Sequence, residues 1–133
     1  MLDVGTGILA KGIRQSLTDE EKRLVKTLLV ALDIMRELRG DMPMQYVMTF
    51  RLVAEEEGLG ITEYAQKAGV AQSVMTRHVL DIGDRDRYRG EGMGLVYKQV
   101  DPMEQRKHRV WLTDKGRVIM RRIIRAIETG RGA

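Results

Sequence analysis

The sequence has no cysteine, only two prolines and few aromatic residues, which make up 5% of its 133 positions. The lack of cysteine excludes disulfides, thiolate metal sites and cysteine-based redox switches. The core must therefore be built on Leu, Ile and Val, with nine methionines available to fill gaps between helices. No apolar run approaches the ~20 residues of a membrane span, and the N-terminal stretch does not read as a secretory signal. We expect a soluble, cytoplasmic protein that does not associate with membranes.

Length and composition favour one folded domain. A chain of 133 residues is long enough for one core and too short for two independent ones, and 43% hydrophobic residues exclude a disordered tail. Residues 1–17 contain three glycines and show weak periodicity, so they are predicted to form a flexible N-terminal arm. Residues 18–133 are predicted to form the single domain.

The positive charge is concentrated in one half of the chain. The net charge is +4, but residues 70–125 hold 13 Lys and Arg against 7 Asp and Glu, whereas residues 1–69 hold 9 against 11. A basic half of this kind is typical of a surface that binds a polyanion such as nucleic acid. The alternative is a solvated surface whose charge is merely uneven.

A first helix is predicted over residues 18–39. Thr18 and Glu21 have the spacing of a capping box, in which each side chain satisfies the other residue's free backbone N–H. Apolar residues then recur at helical spacing until Gly40. The stripe is broader than one neighbouring helix needs, so burial in a dimer interface and ordinary core packing both explain it. Its members are Leu24, Val25, Leu28, Leu29, Ala31, Leu32 and Met35.

A second helix is predicted to begin at Pro43, which suits the first turn of a helix, and to run to about Glu57. Gly58 ends it. Residues 55–57 are three consecutive glutamates, which we interpret as a solvated helix end. Ile61 is predicted to form a short strand.

A helix–turn–helix is predicted to follow. Its first helix covers residues 63–68 and is capped by Thr62, and Gly69 supplies the turn. Its second helix begins after Ala71 and ends near Ile82. The loop over residues 84–93 carries three arginines and separates this pair from the next element.

The second helix of this pair has an apolar and a polar face. The apolar face combines Ala71, Met75, Val79 and Ile82. Gln can pair with adenine edges, Arg can donate twice to guanine, and Ser or Thr can bind bases or phosphates. A recognition helix presents its first two turns to the bases. We therefore predict DNA contacts by Gln72, Ser73, Thr76, Arg77 and His78, with an ordinary polar helix face as the alternative.

His78 lies at the margin of that polar face. A metal ligand or a proton carrier would need partners, but its only histidine companion is His108 and no acidic or thiol cluster lies at ligand spacing. A histidine at the groove edge, or one that is half-buried, fits better. No motif for a nucleophile, a dinucleotide or calcium is present either, so we predict no metal, no cofactor and no enzyme activity.

A β-hairpin is predicted from strands over residues 95–100 and 108–112, with a turn that opens at Asp101 and Pro102. Arg106 near the tip suits the minor groove, where negative potential is concentrated. Glu104 is expected to pair with it, and Trp111 is expected to pack between hairpin and helices. Phosphate contacts are predicted for Lys98, Lys107 and Arg109.

A last helix is predicted over residues 114–129, with Thr113 or Asp114 as its cap. Its apolar face holds Ile119, Met120, Ile123, Ile124 and Ile127. Together these elements predict an α+β, mostly helical fold. It is a winged helix–turn–helix over residues 43–113, with a two- or three-stranded wing sheet and flanking helices over 18–39 and 114–129.

Three stretches resemble the MarR family of bacterial transcriptional regulators, which are dimeric winged-helix repressors and activators. Residues 71–79 (AQSVMTRHV) resemble the family's recognition helix, and residues 94–96 (GLV) resemble the entry to its wing. Residues 101–106 (DPMEQR), followed by 112–116 (LTDKG), resemble its wing signature, which is the most specific match. The resemblance covers residues 43–129 well and 18–39 loosely.

The resemblance implies a sequence-specific regulator that binds duplex DNA as a homodimer on a palindromic operator. Ser73, Thr76 and Arg77 would face the major groove and Arg106 the minor groove, with Glu104 in place of the aspartate that braces this Arg. Gln105 departs from the family's pattern, where an arginine is common. Many relatives also bind small aromatic effectors, but this sequence identifies none. A winged helix used only for protein–protein interaction, and an enzyme of unknown type, are the rival functions.

Overall fold

The computed structural model describes residues 15–84 and 92–132. The predicted fold class is confirmed: within these residues, five helices accompany one two-stranded antiparallel sheet. Residues 1–14 of the predicted arm, and residues 85–91 of the arginine-bearing loop, lie outside the described residues. No helix in the described part of the chain has both the length and the apolarity for crossing a membrane. The elements are α1 (Asp19–Leu38), α2 (Met44–Glu55), α3 (Ile61–Ala68), α4 (Gln72–Ile82), β1 (Val96–Asp101), β2 (Glu104–Leu112) and α5 (Asp114–Gly132).

The core lies between α2, α3, α4 and the hairpin. Each of these elements contributes side chains with almost no exposed surface, because their apolar faces pack against one another in a single core. Tyr64 is buried with its hydroxyl satisfied: it donates to the Glu56 carbonyl at 2.6 Å. The most fully buried side chains are Phe50, Val53, Tyr64, Met75, Val79, Ile82, Leu95, Val96 and Val110.

Helix α1 begins as predicted. The Thr18 hydroxyl accepts from the Glu21 N–H at 3.0 Å, and the Glu21 carboxylate accepts from the Thr18 N–H at 2.8 Å. The helix packs along α5, but only Ile34 and Met35 are buried. Most of the predicted apolar stripe therefore faces outward in the single chain. Its exposed members are Leu24, Val25, Leu28, Leu29 and Leu32.

The segment between α2 and α3 differs from the prediction. Helix α2 ends at Glu55 because Glu56 is extended, and Pro43 caps the helix instead of lying in its first turn. Ile61 is not a strand residue: it begins α3, whose N-terminus is capped at Gly60 by the Glu63 carboxylate at 2.9 Å. The strand-like pairing falls one residue earlier, where Gly60 forms a β-bridge with Arg109.

The hairpin forms the predicted wing, and its second strand is longer than expected. β2 begins at Glu104, four residues before the apolar alternation, because the Asp101 carboxylate accepts from the Met103 N–H at 2.9 Å and shapes a tight turn. The α2–α3 segment pairs with the base of β2. There the Val110 carbonyl accepts from Gly58, and the Val110 N–H donates to Leu59 at 3.0 Å.

Candidate nucleic-acid interface

Helix α4 presents the predicted polar face to solvent. Gln72, Ser73, Thr76 and Arg77 are exposed, whereas Met75, Val79 and Ile82 are buried. Ala71 is the exception on the apolar side, because it is the exposed cap of the helix. Gly69 makes the tight turn from α3, with φ of 70° and an N–H that donates to the end of α3. This turn positions α4 against α2 and α3, so that the polar residues of the first two helical turns of α4 face solvent.

A cleft of about 630 Å³ separates the polar face of α4 from the wing. It brings together two predicted residues from α4, Gln72 and Thr76, and three from the wing, Lys98, Arg106 and Lys107. Ser73 and Arg77 do not line it. The sequence pattern alone could not bring these residues together, because only the fold places Lys98 of β1 at the same cleft as the start of α4.

The charges that line the cleft are mixed. No described residue forms an ion pair with Lys98, whereas the Lys107 ammonium lies 3.5 Å from the Glu63 carboxylate. Glu104 lines the cleft as well. The Gly60 N–H and, more weakly, Lys107 hold the pKa of Glu63 below its ordinary value. Both carboxylates would repel an anion in the cleft, so they oppose the attraction of Lys98, Arg106 and Lys107.

The apex of the wing is apolar. Its turn consists of Pro102 and Met103, and Met103 is 93% exposed. Arg106 lies on β2, behind the apex, and is exposed. The predicted brace between Glu104 and Arg106 is wrong, since within the described residues no ion pair joins them.

The acidic brace of the wing is instead Asp101, which binds Arg109. The Arg109 guanidinium donates to the Asp101 carboxylate at 3.0 Å and to the Gly58 carbonyl at 2.7 Å. The Met103 N–H and Arg109 hold the pKa of Asp101 below its ordinary value, despite its burial. Arg109 therefore fixes the wing to the α2–α3 segment. The contacts with Asp101 and Gly58 use part of its hydrogen-bonding capacity, and the side chain is 39% exposed, so its phosphate contact stays a prediction.

His78 is half-buried and turned toward α2. Its ring meets the Tyr46 ring edge-on, with centroids 5.6 Å apart, and its Nδ1 lies 3.5 Å from the Thr49 hydroxyl. Burial lowers the pKa of His78 below its ordinary value, although the charge of Asp81 opposes the shift. A neutral ring packed on α2 fits the half-buried interpretation. Its DNA contact stays a prediction. No cluster of three or more acidic or histidine side chains that could hold a metal occurs among the described residues.

Glu57 has a role that the sequence did not reveal. Glu55 and Glu56 pair only with exposed partners, as a solvated helix end would. Glu57 instead accepts from both terminal nitrogens of Arg117, at 2.9 and 3.0 Å, and from the Leu112 N–H at 3.0 Å. Arg117 holds the pKa of Glu57 below its ordinary value against the effect of burial. No local signal could have found this pair, because its members are 60 residues apart.

Known structures share this fold. No family model matches the sequence, and no curated protein sequence matches it. A MarR-like transcriptional regulator from Thermotoga maritima is 23% identical, with a TM-score of 0.58 over 87% of this chain and 80% of that chain. The transcriptional regulator Tm0710 from the same organism is 19% identical, with a TM-score of 0.61 over 82% and 70%. FabT from Streptococcus pneumoniae, crystallised in complex with DNA, is 16% identical, with a TM-score of 0.57 over 84% and 74%.

Proposed function

We propose that this chain, which has the MarR-like winged-helix fold, is a transcriptional regulator that binds duplex DNA as a homodimer and has no enzyme activity. One observation carries the proposal: the outward polar face of α4 and the cations of the wing border one cleft. A fold neighbour, FabT, was crystallised in complex with DNA, which supports the same partner here.

Helix α4 reads bases in the major groove. Arg77 is exposed and donates twice to the O6 and N7 of a guanine, and Gln72 pairs with an adenine edge. The Thr76 hydroxyl already donates to the Gln72 carbonyl at 3.0 Å. Toward DNA it therefore acts as an acceptor, which suits the amino group of cytosine or adenine. Ser73 contacts a base or a phosphate in the same turn.

The wing holds the protein against the backbone. Arg106 enters the minor groove, and Lys98 and Lys107 bind phosphates. Lys107 exchanges the carboxylate of Glu63 for a phosphate oxygen, because an exposed ion pair at 3.5 Å costs little to break. The Asp101–Arg109 pair keeps the wing at a fixed angle during binding.

The dimer forms through α1 and α5. Five apolar residues of the α1 stripe are exposed in the single chain, as are Val118, Ile124 and Ile127 of α5. Apolar residues at helical spacing on two adjacent helices favour a partner surface of the same composition. A two-fold axis through this surface places two α4 helices about one DNA turn (~34 Å) apart, which implies a palindromic operator.

The second candidate is a winged helix that binds a protein and no specific DNA sequence. The apolar apex, with Met103 at 93% exposure, favours it, because methionine is enriched in protein–protein interfaces. It predicts an affinity for DNA that is weak, uniform across sequences and insensitive to Arg77.

Selection of bound duplexes from a random pool, at two salt concentrations, distinguishes the two functions. The proposed regulator enriches paired, inverted half-sites, and the enrichment persists at the higher salt concentration. If no sequence is enriched, or if the enrichment disappears at the higher salt concentration, the proposal is contradicted and the protein-binding function is favoured.

A further inference from the structure

The Glu57 latch, which we define as Glu57, Arg117 and the backbone of Leu112, joins three elements. Glu57 lies between α2 and α3, Leu112 ends the wing, and Arg117 lies in the first turn of α5. The Arg117 fork binds both carboxylate oxygens of Glu57 and also donates to the Leu112 carbonyl at 3.4 Å. Two parallel hydrogen bonds between planar groups restrict rotation as well as distance.

A second set of contacts fixes the same end of α5. The Thr113 hydroxyl donates to the Gly94 carbonyl at 2.6 Å and accepts from the Gly116 N–H at 2.9 Å. Gly116 lies so close to the wing that a Cβ there would be 2.1 Å from the Leu95 carbonyl oxygen. These contacts fasten α5 to the start of β1. Within the described residues, the latch adds the only side-chain ion pair between α5 and the α2–α3 segment.

The Arg122–Glu37 pair provides a natural contrast. It is also bidentate, at 3.0 and 3.1 Å, but it joins α5 to α1. We assign both of the helices that it joins to the dimer interface. It therefore cannot fix residues 43–113, which we call the DNA-reading part after their proposed role, relative to those helices.

Resting on the function proposed above, we propose that the Glu57 latch sets the separation of half-sites that the dimer accepts. The α5 helices meet at the two-fold axis, so the angle at the start of α5 determines where each α4 lies on the duplex. A rotation of ~10° moves a point ~20 Å away by ~3.5 Å, which is about the rise of one base pair. Arg117 and Glu57 are positioning residues and do not contact DNA.

The test measures spacing preference with Arg117→Gln and, as the matched control, Arg122→Gln. Each protein is titrated with the selected operator, with operators whose half-sites are one or two base pairs nearer or farther apart, and with a single half-site. The parent should prefer its own spacing by about tenfold or more. Arg117→Gln should reduce that preference to about twofold while single half-site affinity stays within about twofold of the parent. Arg122→Gln should keep the parent's preference.

A second variant separates positioning from folding. Arg117→Lys keeps the charge but cannot form the fork, so it should also flatten the spacing preference, with unfolding temperature close to that of the parent. If both Arg117 variants keep the parent's preference, or lose affinity for every duplex alike, the latch proposal is wrong. A parent that binds single half-sites but has no spacing preference overturns the proposed dimer, and the latch with it. A parent that binds no duplex overturns the proposed function itself.

Discussion

The proposed DNA-reading part, residues 43–113, and the two flanking helices, α1 and α5, differ in how completely they bury their apolar residues. Phe50 in α2 is 1% exposed, whereas Leu28 in α1 is 58% exposed. The first part closes its core within one chain, because three helices and a hairpin meet from different directions. The flanking helices pack mainly along each other and share only a few buried residues with the core, so each keeps an uncovered apolar face. The difference supports the proposed dimer, in which a second copy covers the exposed faces of α1 and α5.

Replacement of a core residue should give the largest effect. Phe50→Ala removes a buried ring from the reading part and should lower the free energy of unfolding by about 3–5 kcal/mol. Urea denaturation measures it. Met103→Ala, at the exposed apex of the wing, is the control and should change stability by less than about 0.5 kcal/mol. Equal effects of the two substitutions would mean that the reading part does not have the core described.

A charge on the α1 face should separate the two parts. Leu28→Glu should convert a dimer into a monomer in sedimentation velocity runs, because the dimer would bury the new carboxylate without a partner. Circular dichroism should show that helix content is kept. Lys26→Glu adds the same carboxylate at an exposed polar position and should remain dimeric. A Leu28→Glu protein that sediments like the parent would show that this face is not the interface.

Two cations of the reading part should behave differently. Arg77→Ala should weaken binding to the selected operator by about 1–3 kcal/mol and relax base preference at one position. Lys98→Ala should weaken binding about equally on all sequences and reduce the salt slope by about one unit. Fluorescence anisotropy over a range of salt concentrations measures both. Identical behaviour of the two variants would remove the distinction between base reading and phosphate binding.

Glu104→Gln tests the corrected wing. Since Glu104 lines the cleft without bracing Arg106, removal of its charge should tighten DNA binding modestly and on every sequence, by less than about 1 kcal/mol. Asp101→Asn, the matched change at the residue that does brace an arginine, should weaken binding. A loss of affinity with Glu104→Gln would show that Glu104 does brace Arg106, as the resemblance implies.

The smallest expected effect concerns pH. Because burial lowers the pKa of His78, the unfolded chain takes up a proton near pH 6.5 while the folded chain does so only at lower pH. Stability should therefore fall as pH decreases from about 7 through 6.5 toward the folded-state pKa. His78→Gln should flatten the dependence of the free energy of unfolding on pH in denaturant titrations. His108→Gln, at an exposed site, should leave that dependence unchanged. A slope that persists in His78→Gln would assign it to another group.

Local patterns predicted the parts of the molecule that depend on nearby residues. The capping box at Thr18, the turn at Gly69 and the exposed face of α4 all follow from spacings of a few positions. The pairs Asp101–Arg109 and Glu57–Arg117 did not follow, because the fold alone brings their members together. Ile61 was misassigned for a related reason: an apolar residue after two glycines suits a strand or a helix start, and Glu63 decided between them by capping Gly60.

The most direct test of the central claim is the stoichiometry of binding to a full operator and to a single half-site, measured together with affinity by analytical ultracentrifugation. We predict two chains on the full operator, with an affinity at least about 100-fold higher than on a single half-site. Leu28→Glu should bind both duplexes with similar affinity, through an intact reading part. One chain on each duplex, with equal affinities for the parent, would contradict the account.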